Sequence, residues 1–262
     1  MSRVSVLIPS YMPDRRYLTR CFESLDAQTY RDFEAVVVDE SDEKTVEFIR
    51  SIKTSFPVQI IRPKERLGLS GSLNLGVRSS RSEFIARLDT DDVCMPERLG
   101  AQVAFLDANP EICLVGSWAM KIGRNDEELG LRKYPVSSDE IRRQSGLWNP
   151  MCHPSIMLRR DFFQTYGEYG AHQAEDYELW LRALQRGARL ANIDRVLLLY
   201  RIEAQNADSR PRYWRESLKL RVRYFQWNHL PMRLLGIALV GLATIVPPSR
   251  FEKIYKAFNR LR

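Results

Sequence analysis

From Arg3 to Gly116, short β-rich apolar runs alternate with stretches of helical periodicity, and two of the runs end on an aspartate. Few folds are open to such a chain. Each strand is returned to a common sheet through a crossover helix, so the pattern predicts an α/β fold with a largely parallel sheet and helices on its faces. Residues 4–8 read as the first strand, ended by Pro9, and Tyr17, Leu18, Cys21, Phe22 and Leu25 recur at helical spacing behind it. Strands are predicted over 33–38, 58–61, 84–88 and 112–116. Helices are marked by Val46, Ile49 and Ile52, by Leu69, Leu73 and Val77, and by Leu99, Val103 and Leu106. In the less regular second half, 155–158 and 196–200 read as strands, and Glu175-Asp176 opens a helical run through Leu184. Ligands of such sheets sit beyond the carboxyl ends of the strands, where Ser10, Asp39 and Asp89 all fall.

The chain has 262 residues, 44% of them hydrophobic and 28% charged, which suits one large domain with a tail and excludes disordered, collagen-like and coiled-coil classes. Its net charge of +7 is unevenly placed: residues 201–262 hold 13 basic and 4 acidic side chains, leaving the body slightly acidic. The basic tail has no zinc spacing, aromatic RNA-binding pattern or base-reading helix, so nucleic acid is not the expected partner. Cys21, Cys94, Cys113 and Cys152 form no paired motif and read as reduced thiols. The first strand begins too early for a secretory leader.

Three carboxylates within four residues at a strand end, Asp89, Asp91 and Asp92, make a hard-oxygen site suited to Mg²⁺ or Mn²⁺. An acidic surface turn is the plain alternative. Position after an apolar strand favours the cation, since crowded carboxylates repel one another without one. Gly68, Gly71 and Gly76 make neither a dinucleotide fingerprint nor a phosphate-binding P-loop, so a bound diphosphate would need a metal to neutralise it. Glu175 and Asp176 fall at a helix N-terminus, where the macrodipole favours an ionised acid that can accept a proton; simple helix capping is the commoner role for such residues. His153 could line an acceptor cleft, approach the metal, or serve as a structural loop residue. His172 and His229 are expected in solvent, and Arg132 and Lys133 in a charged turn that could touch the diphosphate.

Together these segments resemble the inverting glycosyltransferases of family two, in the bacterial branch that builds exopolysaccharide, capsule and O-antigen. The resemblance spans residues 3–200. Val4-Ser5-Val6-Leu7-Ile8-Pro9-Ser10-Tyr11 is similar to the family's opening strand and nucleotide loop, and Val36-Val37-Val38-Asp39-Glu40-Ser41 to its V-V-D-D-G-S segment. The stretch from Gly68-Leu69-Ser70 to Asn74-Leu75-Gly76 is similar to its G-L-S-x-x-x-N-x-G helix. Leu88-Asp89-Thr90-Asp91-Asp92 is similar to its metal motif, and Glu175-Asp176-Tyr177-Glu178-Leu179-Trp180 to its E-D-Y-x-L-W motif.

The resemblance implies the GT-A fold, a Rossmann-like αβα sandwich with a mostly parallel sheet over residues 1–205, followed by a helical basic and apolar tail over 206–262. It implies that Pro9, Ser10, Tyr11 and Asp39 hold the base and ribose of a nucleoside diphosphate sugar, with UDP the expected nucleotide. Asp89 would contact ribose or sugar, Asp91 would bind Mg²⁺ or Mn²⁺, and Asp176 would be the general base, with Glu175 as acceptor-orienting neighbour or as the base itself. Glu40 and Ser41 stand where Asp and Gly are usual, and Leu73 where other branches carry Arg. The Q-x-x-R-W segment of processive members is lacking, which implies addition of a single sugar to a lipid-linked saccharide. The alternatives are a sugar-phosphate nucleotidylyltransferase, whose Gly-rich, Lys-bearing opening loop is missing, and a non-catalytic nucleotide-sugar-binding protein at a membrane surface.

In the tail, Trp214, Leu218, Val222 and Phe225 predict an amphipathic helix bearing Arg215, Lys219, Arg221 and Arg223, followed by an apolar stretch over 234–246. A span needs about 20 apolar residues, so this stretch suits an interfacial segment. Arg233, Arg250, Lys253 and Lys256 would then meet anionic headgroups, placing the protein peripherally on the cytoplasmic face of the bacterial inner membrane. A buried helix or a homodimer contact is the alternative.

Overall fold

The structure is a computed structural model that describes residues 2–171, 173–202 and 210–246. Its strands are β1 (Val4–Ser10), β2 (Phe33–Asp39), β3 (Val58–Ile61), β4 (Phe84–Arg87), β5 (Val93–Cys94), β6 (Leu114–Ile122), β7 (Glu128–Arg132), β8 (Met157–Arg159) and β9 (Leu190–Arg201). The helices are α1 (Arg15–Asp26), α2 (Glu43–Ser51), α3 (Gly68–Ser79), α4 (Arg98–Ala108), α5 (Ser138–Gln144), α6 (Phe162–Tyr166), α7 (Glu175–Gln185), α8 (Arg210–Arg223) and α9 (Leu230–Ile245).

The strands form one sheet in the order β3-β2-β1-β4-β8-β6-β9-β5, with β7 paired to β6. β3, β2, β1 and β4 are mutually parallel, β8 runs against both its neighbours, β6 and β9 are parallel again, and β5 and β7 are reversed. Most of the described strands therefore share one direction, as the alternating pattern predicts. Both faces are buried. Alternate side chains of the first strands enter opposite cores: Val4, Val6 and Ile8 pack with Phe22 and Phe33, whereas Leu7 packs with Val36, Val38 and Leu73. Gly76 of α3 lies so close to β1 that a Cβ there would overlap Leu7, which lets the helix settle onto the strand.

The register places the chemistry. Ser10 is opposite Asp39 and Leu7 opposite Arg87, so the carboxyl ends of β1, β2 and β4 open at one edge of the sheet. Pro9 does not end β1 as expected. It pairs in register with Val38 after the β4 ladder has stopped at Leu7, where a missing N–H has one fewer neighbour to answer. The last strand starts at Leu190, ahead of the predicted 196, because the polar run Asn192-Ile193-Asp194-Arg195 hides it; there the pairing with β6 shifts register, and Asn192 is buried against the Pro135 and Pro150 carbonyls. β5, β7, α5 and α6 were not legible as elements. They are short, and pattern alone rarely marks such pieces.

Of the tail helices, α8 packs on α7, through a different face from the one predicted, and α9 packs on α8. Leu220, Tyr224 and Tyr213 join Ala174, Tyr177 and Leu181 in a third apolar cluster, while Val222 is 60% exposed. Arg221 is buried and donates to the carbonyls of Gly146 and Leu147, and the Tyr224 hydroxyl donates to the Glu178 carboxylate. Helical spacing of apolar residues misjudged this face because a long cation can be buried where backbone carbonyls receive it. Arg233 is likewise buried, bonded to Asn228 and Gln226, and does not reach outward toward headgroups as expected. Arg250, Lys253, Lys256 and His172 lie outside the described residues. No helix among the described residues is long and apolar enough to cross a membrane.

Candidate active site

Three groups of residues meet at the open end of β1, β2 and β4. In the first, Ser10 Oγ donates to Asp39 Oδ1 at 2.6 Å, and Ser41 gives Asp39 both its hydroxyl and its backbone N–H, at 2.9 and 3.1 Å. Asp39 is thereby buried and fixed. Tyr11 follows on the exposed side, its ring 3.9 Å from the guanidinium carbon of Arg66. Glu40 turns away from this loop and receives the backbone N–H groups of Leu67 and Gly68 and the Ser72 hydroxyl. It supplies the start of α3 with the acceptor that Leu67, as N-cap, lacks. Leu73 is fully buried in the core and makes no polar contact.

The second group is the turn after β4. Asp89, Asp91 and Asp92 each offer a carboxylate oxygen within 4.8 Å of the others. Burial first, and then the Asp89 charge, push the Asp91 carboxyl up to about 6, and burial drives Asp92 well above the usual carboxylate range. Asp92 Oδ1 accepts the Arg201 backbone N–H at 2.8 Å, whereas Oδ2 is buried with no hydrogen-bond partner. An orphaned carboxylate oxygen among crowded acids fits a divalent cation, whose charge would relieve both penalties.

The third group is the first turn of α7. Asp176 is pinned by the Tyr177 backbone N–H at 2.6 Å and by Asn149 Nδ2 at 2.5 Å. Burial raises its carboxyl, against those two bonds. Glu175 is pushed up to about 7 by burial and then by Asp176, and lies 3.8 Å from His153 Nδ1. His153 is buried, bonded through Nε2 to the Tyr169 hydroxyl at 3.0 Å and edge-on to Trp180; burial, and next the Arg87 charge, hold it neutral. It stands behind the acidic pair and outside the aspartate cluster.

Arg87, at the end of β4, joins the second and third groups. Its Nη2 pairs with Asp89 Oδ1 at 2.5 Å, its Nε and Nη1 are buried without hydrogen-bond partners, and its charge favours ionisation of Asp91, Asp92, Glu175 and Asp176 alike. The Asp89 charge in turn acts on Glu175. The two acidic motifs, 83 or more residues apart along the chain, therefore share one electrostatic neighbourhood. Arg132, expected in a loop, is on β7 and its charge also reaches Asp176; Lys133 lies 5.0 Å over the Trp118 ring. Sequence reading passed over Arg87 and Arg201. Each is a cation that directly follows an apolar run, 84–86 for Arg87 and 196–200 for Arg201, which is the signal that could have found them.

Residues 5–167 match the profile of glycosyl transferase family 2. The chain belongs to that family. This transferase is 32% identical over 212 residues to the amylovoran biosynthesis glycosyltransferase AmsE of Erwinia amylovora, covering 79% of each chain. It is 24% identical over 268 residues to the UDP-Gal:alpha-D-GlcNAc-diphosphoundecaprenol beta-1,3-galactosyltransferase of Escherichia coli, covering 98% of this chain and 97% of that one. Among solved structures, the mannosyltransferase PcManGT of Pyrobaculum calidifontis, in complex with GDP-Man and Mn²⁺, superposes with a TM-score of 0.67 at 17% identity, over 98% of this chain and 80% of that one. The transferase thus has the GT-A fold implied by its motifs.

Proposed function

We propose that this glycosyltransferase moves a single sugar from a nucleoside diphosphate sugar, with UDP as nucleotide, to a lipid-linked saccharide, inverting the anomeric centre, in bacterial cell-surface polysaccharide synthesis. The carrying observation is that one buried guanidinium, Arg87, is paired with Asp89 and exerts its charge on Asp91, Asp92, Glu175 and Asp176 alike. A galactosyltransferase matched over nearly its whole length is named for a UDP-sugar donor and a diphosphoundecaprenol-linked acceptor, which supports the donor and acceptor classes.

In this reading Pro9, Ser10, Tyr11 and Asp39 receive the nucleoside, with Asp39 held rigid by Ser10 and Ser41 so that its remaining lone pairs can meet the base or ribose. Asp89 contacts ribose or sugar. Asp91, with Asp89 and Asp92 around it, would hold Mg²⁺ or Mn²⁺, which when bound supplies Lewis-acid stabilisation of the leaving diphosphate. Asp176 takes the proton from the acceptor hydroxyl as that oxygen attacks the anomeric carbon from the far face. Asn149 and the Tyr177 N–H aim its carboxylate, and Glu175 orients the acceptor beside it.

The acceptor also suggests where the protein works. The outer side of α9 exposes Leu234, Leu235, Leu242 and Ile245, with Trp227 81% exposed in the turn before it and Lys219 exposed on α8. An exposed apolar face on a basic tail suits peripheral attachment to an anionic membrane surface. Product stereochemistry read by NMR, with a panel of nucleotide sugars and with or without EDTA, tests the chemistry. Inverted product that disappears with EDTA is expected; release of inorganic pyrophosphate from a nucleoside triphosphate and a sugar phosphate would instead make the chain a nucleotidylyltransferase.

A further inference from the structure

The side chain of Arg201, at the end of β9, is 1% exposed. Its Nε donates to the Asp91 carbonyl at 2.8 Å, its Nη1 to the Gly123 carbonyl at 2.5 Å and its Nη2 to Asp126 Oδ1 at 2.5 Å. The Tyr17 ring lies 4.1 Å beneath it. The backbone N–H of the same residue holds Asp92 Oδ1 at 2.8 Å. One residue thus grips the Asp91 carbonyl and the Asp92 side chain and ties them to α1 and to the turn between β6 and β7.

The choice of acceptors matters more than their number. A guanidinium beside three carboxylates would ordinarily take one of them in a forked ion pair and so compete with a cation. Here the charged side chain is spent on carbonyls and on Asp126, which stands outside the cluster and also receives Arg20 at 3.6 Å. Asp126 sits in the left-handed region, φ 64, so the turn places its carboxylate by a backbone conformation that few residues adopt readily. Asp92 meets the neutral N–H of Arg201 and keeps one oxygen unpaired.

We propose that Arg201 is a positioning residue for the cation site: it fixes the Asp91-Asp92 turn through the Asp91 carbonyl and Asp92 Oδ1, while the Gly123 carbonyl and Asp126 occupy its remaining nitrogens, so that its guanidinium takes none of the ligating carboxylates. The proposal rests on the reading of Asp89, Asp91 and Asp92 as a divalent-cation site. Residues that orient ligands in this way typically carry about 10–100-fold in metal affinity. Lysine keeps the charge but offers a single nitrogen on a flexible stem and cannot span the Asp91 carbonyl, the Gly123 carbonyl and Asp126 together.

The test is Mn²⁺ binding to the full chain followed by electron paramagnetic resonance, with and without UDP, for the wild type, Arg201→Lys and Asp126→Asn. Near-UV circular dichroism reports folding. Folded Arg201→Lys is expected to bind Mn²⁺ about 10–100-fold more weakly, and Asp126→Asn to lose less in the same direction. Wild-type affinity in folded Arg201→Lys overturns the positioning role and leaves the cation site standing. Where Arg201→Lys does not fold, Asp126→Asn decides, and its unchanged affinity overturns the proposal. A wild-type chain that binds no Mn²⁺ in either arm overturns the cation reading and this proposal with it.

Discussion

The two acidic segments of the site are held in different ways. The aspartate turn grows directly out of β4 within the parallel part of the sheet and is gripped by two buried arginines, Arg87 before it and Arg201 across from it. Glu175 and Asp176 instead open α7, a helix whose far side is covered by α8, and Asp176 depends on Asn149 from the irregular loop before the His153 turn. The first segment is positioned by sheet topology, the second by packing between elements far apart in sequence. Disturbing each support should therefore damage different steps.

Removing the acids themselves should have the largest effect. Asp91→Ala and Asp176→Asn are each expected to lower kcat by about 10²–10⁴-fold with folding retained, and the split between them sharpens the comparison: Asp176→Asn should leave UDP and Mn²⁺ binding near wild type, Asp91→Ala should not. Glu175→Gln should cost less than Asp176→Asn. The reverse order in steady-state rates would move the base to Glu175.

Next comes the packing beneath the second segment. Leu220 is 3% exposed between α8 and α7, and Leu220→Ala should destabilise the protein by about 2–5 kcal/mol. Chemical denaturation measures that loss. UDP affinity in the folded fraction should be unchanged, since the nucleotide loop belongs to the other half. A truncation before α8 is consequently a poor probe of membrane attachment, because it also strips the cover from α7.

Legibility in the sequence follows the same division. Ser10, Asp39 and the aspartate turn were legible because strand ends in a parallel sheet converge whatever the loops do. The Glu175-Asp176 helix was legible as a helix, but its neighbours were not. Asn149, His153 and Arg87 reach it across distances in sequence that no periodicity reports.

A third effect concerns pH. Glu175 is raised from the ordinary glutamate range to about 7, so between those values the folded chain binds more protons than the unfolded one. Stability attributable to this group is therefore full at low pH and declines as pH rises toward about 7. Thermal melts of Glu175→Gln against pH should lack that decline, and a wild-type slope in the variant would remove Glu175 as its source. Smallest should be Ser137→Ala, which breaks the capping box that Ser137 and Glu140 form at the start of α5; a loss of about 1 kcal/mol is expected with turnover unchanged.

By itself the amino-acid order determined the strand-and-helix succession, the family motifs and the polar strand ends, because these follow from side-chain periodicity and from the geometry of parallel crossovers. Only the folded arrangement decided which face of α8 is buried and which groups three buried arginines meet. Arg221 reaches carbonyls 74 and 75 residues away, Arg201 reaches Asp91 across 110, and Arg87 shares its charge between two motifs. A cation can be buried only where acceptors have been assembled to receive it, and those acceptors exist together only after the chain has folded.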